Sequence, residues 1–410
     1  MENKKTRNVT WMLAAIFLGY TCIYVDKTTI GMSLVTIAND LGFDPQQKGL
    51  ILSAFFLGYT IFQIPFGYLS NKIGTRKMMI ISVFLVGIFL FLFGFGFSLL
   101  YLILIRFMTG AVAHSGYPSS VSTFISQELP IEKRGPAQST MIASSGFAAI
   151  VGPLLIAPLL LQVGWHKTYY FLGVVVLLIA VLMYLVIPKE FGGVKEHLKN
   201  KQGISFREVL KDRNVWILIF AAFFINAAIY GLNGWMATYL VEAHGLALTQ
   251  TAYVTAVIGF FTMVAAMVGG VVVNKYFIGK EKNVIFVATV GGGIFAVLVS
   301  VVGTFFMSMV ALTCAVAFAS LAFATLMSIP LKIFPTDEVS AKYATINAIG
   351  VSGGFVAPTI IGALIQLSNG AFFSSFLFIG ISFIVAGGIT LLVKKKRLIL
   401  VQSFEKMRRV

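Results

Sequence analysis

Apolar runs of about 20 residues, the length at which a helix crosses a bilayer core, recur from one end of this 410-residue sequence to the other. Twelve are read, at 9–34, 46–69, 78–97, 99–125, 137–161, 168–188, 214–240, 251–274, 283–306, 308–331, 343–367 and 371–393. Lipid offers no hydrogen-bond partner to an open backbone group, and the runs are too long for barrel strands, so each is expected to be a helix. Only 11% of the residues are charged, where a soluble domain averages about 25%. The expected fold is an all-α membrane protein of twelve transmembrane helices. The first run follows "MENKKTRNVT", is long, contains Asp26-Lys27 and lacks a small-residue cleavage site, so it reads as a retained helix and not a signal peptide.

A net charge of +16 raises the possibility of a nucleic-acid partner, and its distribution argues against one. With the loops numbered alternately, 27 of the 31 Lys and Arg residues fall on the side that carries both termini. The opposite side has Lys48 and Lys167, and Lys27 and Arg106 lie inside helices. This asymmetry is the positive-inside pattern, which puts both termini of a multi-pass cell-membrane protein in the cytoplasm. Cys22 and Cys314 show neither metal-binding nor redox spacing.

The longest polar segment, "IPKEFGGVKEHLKNKQGISFREVLKDRN", divides the chain in the middle. The expected organisation is an N-terminal six-helix bundle (1–188), a cytoplasmic linker (189–213), a C-terminal six-helix bundle (214–393) and a basic tail (394–410). The halves echo each other at an offset near 205: Trp11 with Trp216, Pro130 with Pro335, Pro153 with Pro358, and "GYLSNK" with "GVVVNK". Two such halves in a pseudo-twofold arrangement form a common transporter plan, with the substrate site between them near mid-membrane.

Several stretches carry a resemblance. "GYLSNKIGTRK" (67–77) resembles the loop signature of the major facilitator superfamily, in which the glycine permits close helix packing and the basic residues cap a helix end. Asn71 stands where that family usually has Asp. "YVDKTTIGMSL" (24–34), "GLILSAFFLGYTIFQIPFGYLSNKIGTRK" (49–77) and "RFMTGAVAHSGYPSSVSTFISQELPIEKRGPAQ" (106–138) are similar to its anion:cation symporter branch, which implies a carrier of sugar acids or other organic anions. Two positions depart from that branch. Lys27 replaces its Arg, keeping the charge but not the planar fork. Ala113 replaces its Glu seven residues after the fourth-helix Arg, with His114 next to it.

The residues at membrane depth support an anion independently of the resemblance. Asp26 is the one carboxylate deep within the runs, and Lys27 and Arg106 accompany it. Ionisable side chains there cost about 2.5–3.5 kcal/mol each on insertion scales, so they ordinarily line a cavity. One acid and two bases leave a net positive site, which an anion would complete. At about 100° per residue, Tyr20, Tyr24 and Lys27 share a stripe, and Asp26 is turned about 100° from it, so Asp26 is expected to meet another helix while Lys27 points to the cavity, or the reverse. Tyr59 and Gln63 share a face, as do Asn226, Tyr230 and Asn233. "LNGW" suggests a bend in the seventh helix, and "INAIGVSGGFVAP" reads as a small-residue helix whose polar group is Asn347. On an α-helix Ala113 lies almost above Arg106, while His114 is turned about 80° away. Blander roles stay open: an ion pair for Lys27 and Asp26, helix packing for the tyrosines and His114, and a helix bridge for Asn347.

The expected function is import of a small organic anion, a sugar acid or other carboxylate, coupled to protons by alternating access, with sodium as the alternative ion. Lys27 and Arg106 would hold the anion. Tyr24, Tyr59, Gln63, Tyr230, Asn233 and Asn347 are the candidate hydrogen-bonding residues, and Asp26 and His114 the proton-coupling ones. No P-loop, paired catalytic carboxylates or His/Cys cluster is read, so no enzyme activity, cofactor or metal is expected. The protein is expected to work as a monomer in a lipid bilayer. A phosphate-ester antiporter, a multidrug exporter and a non-transporting sensor are the alternative readings.

Overall fold

In the computed structural model of the chain, residues 2–189, 205–335 and 338–394 are described. Most of the linker and nearly all of the basic tail lie outside them. The first helix, α1 (Glu2–Leu41), is followed by α2 (Pro45–Ile73), α3 (Thr75–Phe93), α4 (Leu99–Met108), a π-helical stretch (Thr109–His114), α5 (Tyr117–Glu128) and α6 (Ile131–Val186). A single turn, α7 (Phe206–Val209), precedes α8 (Arg213–Glu242), α9 (Leu248–Tyr276), α10 (Glu281–Val301) and α11 (Phe305–Ser328). Then come the short α12 (Pro330–Ile333), α13 (Val339–Gly350), α14 (Gly353–Leu367) and α15 (Phe373–Leu391).

Among the described residues, eleven stretches are long and apolar enough to cross a membrane, and one of them, Ala143–Val186, has 44 residues. That is about twice the length a crossing requires. The helical run reverses at Gly164, where φ is 77° and ψ is 166°. A glycine is needed there because a side chain would strain that backbone. Counting α6 as two crossings gives twelve, in two six-helix bundles.

Local chemistry sets the turns. Asp44 caps α2 by accepting from the Gln47 amide at 2.7 Å, Gln47 Oε1 accepts from the Asp44 amide at 3.0 Å, and Pro45 opens the helix. Gly74, at φ 91°, ends it. Arg76 closes the end of the sixth crossing: its Nε donates to the Ile187 carbonyl at 2.6 Å and its Nη2 to the Tyr184 carbonyl at 2.8 Å. The basic part of the loop signature thus caps a helix, as the resemblance implies.

Its glycine does not pack closely. A Cβ on Gly67 would meet only Ser119 Oγ, at 3.9 Å. The close approach lies two to three turns earlier, where α2 crosses the π-helical stretch. A Cβ on Gly58 would run into the Phe107 carbonyl oxygen, and one on Gly110 into that of Phe55. Two further expectations are corrected. The "LNGW" segment does not break its helix, since α8 is continuous. The eleventh crossing is broken instead, at Val351-Ser352 between α13 and α14. There Gly350, Gly353 and Gly354 each meet a neighbour too closely for a side chain: Ala222, the Phe223 carbonyl, and the Phe56 and Tyr230 rings.

The halves meet near the end that carries the 42–44 turn. Lys48 Nζ pairs with Glu242 Oε1 at 2.7 Å, and Thr359 Oγ1 donates to Ser53 Oγ at 2.8 Å. Gly31 lies against the Gly234 carbonyl, and Gly49 against that of Pro358.

Gly110→Ala is expected to lose about 1–3 kcal/mol by overpacking, read as a lower unfolding temperature of the purified protein. Gly67→Ala is expected to hold or gain up to about 1 kcal/mol. Equal behaviour of the two variants would contradict the packing described.

Candidate functional site

Asp26 and Lys27 are consecutive on α1 and, as helix geometry requires, serve different neighbours. Asp26 is 4% exposed and points into its own bundle. Arg106 Nη1 on α4 donates to its Oδ1 at 2.9 Å, and the guanidinium lies 4.7 Å from the centroid of the Phe55 ring. His114 Nε2 stands 2.9 Å from the other oxygen, Oδ2. His114 Nδ1 and Arg106 Nε are buried and have no hydrogen-bond partner among the described residues.

The π-helical stretch places His114 on Asp26. Reading an unbroken α-helix puts His114 about 80° from Arg106. A π turn closes its hydrogen bond one residue later, which sets back everything after it by about 100°. His114 then returns to the Arg106 face, and both side chains share one carboxylate. The sequence expectation that His114 is turned away is corrected for this reason. Ala113 is buried with no exposure.

Lys27 points the other way, to the interface between the halves. Its Nζ donates to Tyr230 Oη on α8 at 2.8 Å. The Tyr230, Phe56 and Tyr59 rings surround the ammonium, with centroids at 4.6, 5.2 and 5.2 Å. The Phe56 and Tyr230 rings lie 4.2 Å apart, beside Gly354. Among the described residues no carboxylate lies within 4 Å of Lys27, whereas Arg106 is paired. An ammonium has three N–H groups, and one is engaged by Tyr230.

A cavity of about 20 Å³ adjoins Lys27, lined by Thr28, Arg106, Tyr230, Asn233 and Gly234, with Leu52, Phe56 and Pro358 as its apolar wall. A single water needs about 10–15 Å³, so a sugar acid does not fit until the halves part. The backbone contacts at Gly31 and Gly49 close the cavity toward the 42–44 turn.

The remaining candidates divide. Tyr230 and Asn233 reach the cavity, and Tyr59 stands beside the ammonium. Gln63 Nε2 donates to Tyr59 Oη at 3.4 Å, which sets Gln63 behind Tyr59. Tyr24 stacks on Tyr20 at 5.2 Å, and Tyr20 meets Tyr117 edge-on, while Tyr24 also stands in electrostatic reach of Lys27, Tyr230 and Tyr59. Asn347 is half-buried on α13 and does not line the cavity. The helix-bridging amide is Asn226, whose Nδ2 donates to the Gly350 carbonyl at 3.2 Å. Sequence reasoning missed Phe56, although 56, 59 and 63 fall on one helical face and could have revealed it.

Comparison with known proteins gives the family and the fold. The family model described as Major Facilitator Superfamily matches residues 16–358. Named relatives include the "Probable galactarate/D-glucarate transporter GudP" of Escherichia coli, 23% identical over 93% of this chain and 92% of that protein. The "Probable sulfoacetate transporter SauU" of Cupriavidus necator is 26% identical over 88% of each. The "Quinolone resistance transporter" of Acinetobacter baumannii is 24% identical over 88% and 89%. Among solved structures, an inward-facing, occupied bacterial homologue of the human lysosomal transporter Spinster superposes with a TM-score of 0.77 at 16% identity, covering 95% of this chain and 97% of that one.

Arg106→Met leaves the buried Asp26 without its cation, and the expected loss is about 3–5 kcal/mol. Adding Asp26→Asn is expected to recover at least half of it in unfolding measurements. A double variant no more stable than Arg106→Met would show that the pair is not the source of the loss. With two of its crossings joined at Gly164, a half-to-half cleft at Lys27, and the family model spanning most of its length, this multi-pass membrane protein belongs to the Major Facilitator Superfamily.

Proposed function

We propose that the chain is a secondary transporter that takes up a small organic anion, a sugar acid or another carboxylate, together with protons. The observation that carries this reading is Lys27: a cation at the interface of the halves, caged by aromatic rings and without a carboxylate among the described residues. Two of its N–H groups remain for an incoming carboxylate, and charge-assisted hydrogen bonds of this kind are the strong ones. Thr28, Tyr230 and Asn233 line the same cavity and supply hydrogen bonds to the rest of the anion, with Tyr59 adjacent and Gln63 positioning it. The names of the relatives GudP and SauU support the class of cargo. The basic-residue asymmetry supports cytoplasmic termini in a cell membrane, which makes the end with the 42–44 turn the outer one.

Arg106 enters this scheme through Asp26. While Asp26 is ionised it neutralises Arg106. A proton on the Asp26–His114 contact weakens that hold and frees positive charge toward the cavity, so proton and anion raise each other's affinity. Alternating access then requires the outer contacts, Lys48–Glu242 and Thr359–Ser53, to break as the inner end closes. The monomer contains every element of this cycle. An exporter of cationic drugs is disfavoured by the ammonium, despite the quinolone-resistance relative.

The test is a thermal-stabilisation screen of the purified protein with sugar acids, tartrate, sulfoacetate, aromatic acids and sugar phosphates, followed by uptake into proteoliposomes. A carboxylate is expected to stabilise the wild-type protein, and Lys27→Met to lose that stabilisation and at least tenfold of uptake. Asp26→Asn is expected to exchange anion but not accumulate it under an inward proton gradient. Full gradient-driven accumulation by Asp26→Asn would end the coupling scheme. Undiminished binding by Lys27→Met would end the assignment of the site.

A further inference from the structure

We infer that His114, set onto Asp26 by the π turn, is the proton-exchanging member of the site, and that position 114, not 113, is where a titratable group must stand for coupling. This rests on the proton-coupled reading above and names the residue and the register that would carry it. Two observations converge on it. An imidazole nitrogen and a carboxylate oxygen stand 2.9 Å apart inside the first bundle. At that distance two acceptors repel, so the contact requires a proton between them. His114 Nδ1, on the far side of the ring, is buried and has no hydrogen-bond partner among the described residues. Buried groups left in this way are rare and ordinarily have a functional reason.

The surroundings fit exchange. The Phe55 ring from α2 packs edge-on against the imidazole at 4.7 Å, and Met78 from α3 lies beside Gly116 at the end of the π turn. The charged groups that act on His114 are Asp26, Arg106 and Lys27, and Tyr169 from α6 acts on the same Asp26 and Arg106. A free imidazole titrates near neutrality, at about 6.5, whereas the guanidinium does not deprotonate. In the exchange a proton from water on one side bonds to His114 Nδ1, since Nε2 already carries the proton shared with Asp26. The imidazolium then donates to Asp26 Oδ2 and competes with Arg106 for the carboxylate. Return of the proton to water on the other side restores the Arg106–Asp26 pair, so no other reactant is consumed. The close crossing of Gly58 and Gly110 on α2 and the π stretch pins this register, and Ser115 Oγ, donating to the Gly110 carbonyl at 2.7 Å, spans the turn.

Two experiments test the inference. In the first, the ligand-free full chain is labelled with ring-15N histidine and titrated from pH 5 to 8. The resonance lost in His114→Gln is expected to titrate, and its transition to move in Asp26→Asn. A His114 ring that stays constant over this range, or titrates identically in Asp26→Asn, overturns the assignment whether or not any anion is transported. In the second, proteoliposomes are assayed with labelled D-glucarate for exchange at equal pH and for accumulation under a proton gradient. The ratio of accumulation to exchange is expected to fall at least tenfold in His114→Gln and to recover at least half in His114→Glu. Ala113→Glu introduced into His114→Gln is expected to recover none of it. Recovery through position 113 and not 114 overturns the register. Exchange without accumulation by the wild-type chain would refute proton coupling, and there the titration alone decides whether His114 and Asp26 share a proton.

Discussion

The buried pair of Asp26 and Arg106 is the constraint around which the first bundle is arranged. Either charge alone at that depth would be costly, and together they are tolerated only with close geometry and apolar cover. The pair holds α1 to α4 across the bundle and turns Asp26 inward. Because consecutive residues on a helix cannot face the same neighbour, the same constraint turns Lys27 outward to the other half. One ion pair thus produces both a neutralised interior and an ammonium at the interface with no carboxylate partner among the described residues, where Tyr230, Phe56 and Tyr59 receive it.

Glycines set how near the other elements can come to that centre. Gly58 and Gly110 let α2 meet the π stretch backbone to backbone, which fixes where Phe55 and His114 sit. In the second half, Gly353 and Gly354 do the same for α14 against α8 and the Phe56–Tyr230 pair. Small residues at helix crossings are what packing in lipid favours, since no hydrophobic force drives helices together there. The break at Val351-Ser352 lies in the same neighbourhood, with its lower segment bridged to α8 through Asn226.

The architecture was legible in the sequence because the bilayer imposes a rule with few exceptions: long apolar runs become helices, and their number and polarity can be counted. Even the join at Gly164 left the count intact. That Asp26 and Lys27 face different neighbours was legible too, since it follows from 100° per residue, but which of them turns to the cavity was not. What else was not legible depends on departures from the ideal helix. The π turn moved His114 onto Asp26, against a reading that assumed regular geometry. "LNGW" carried a helix-breaking signal that tertiary packing overrode, while the break fell in a glycine-rich segment taken as continuous. Asn347 shares a region with the site but lies off the cavity, and Phe56 was overlooked because an aromatic ring in an apolar run does not stand out. None of these could be decided without knowing which neighbours each helix meets.

The Lys27–Tyr230 bond bears on the unloaded half of a transport cycle. A carrier that releases its cargo must swing back with its binding groups still buried, and a bare ammonium would resist that passage. Here a phenol oxygen engages one donor and three π faces surround the charge, so the protein itself solvates this cation from within. Under the proposed cycle this favours a carrier able to return empty, the requirement of net uptake, over one that can reorient only when a counter-substrate takes the departing molecule's place.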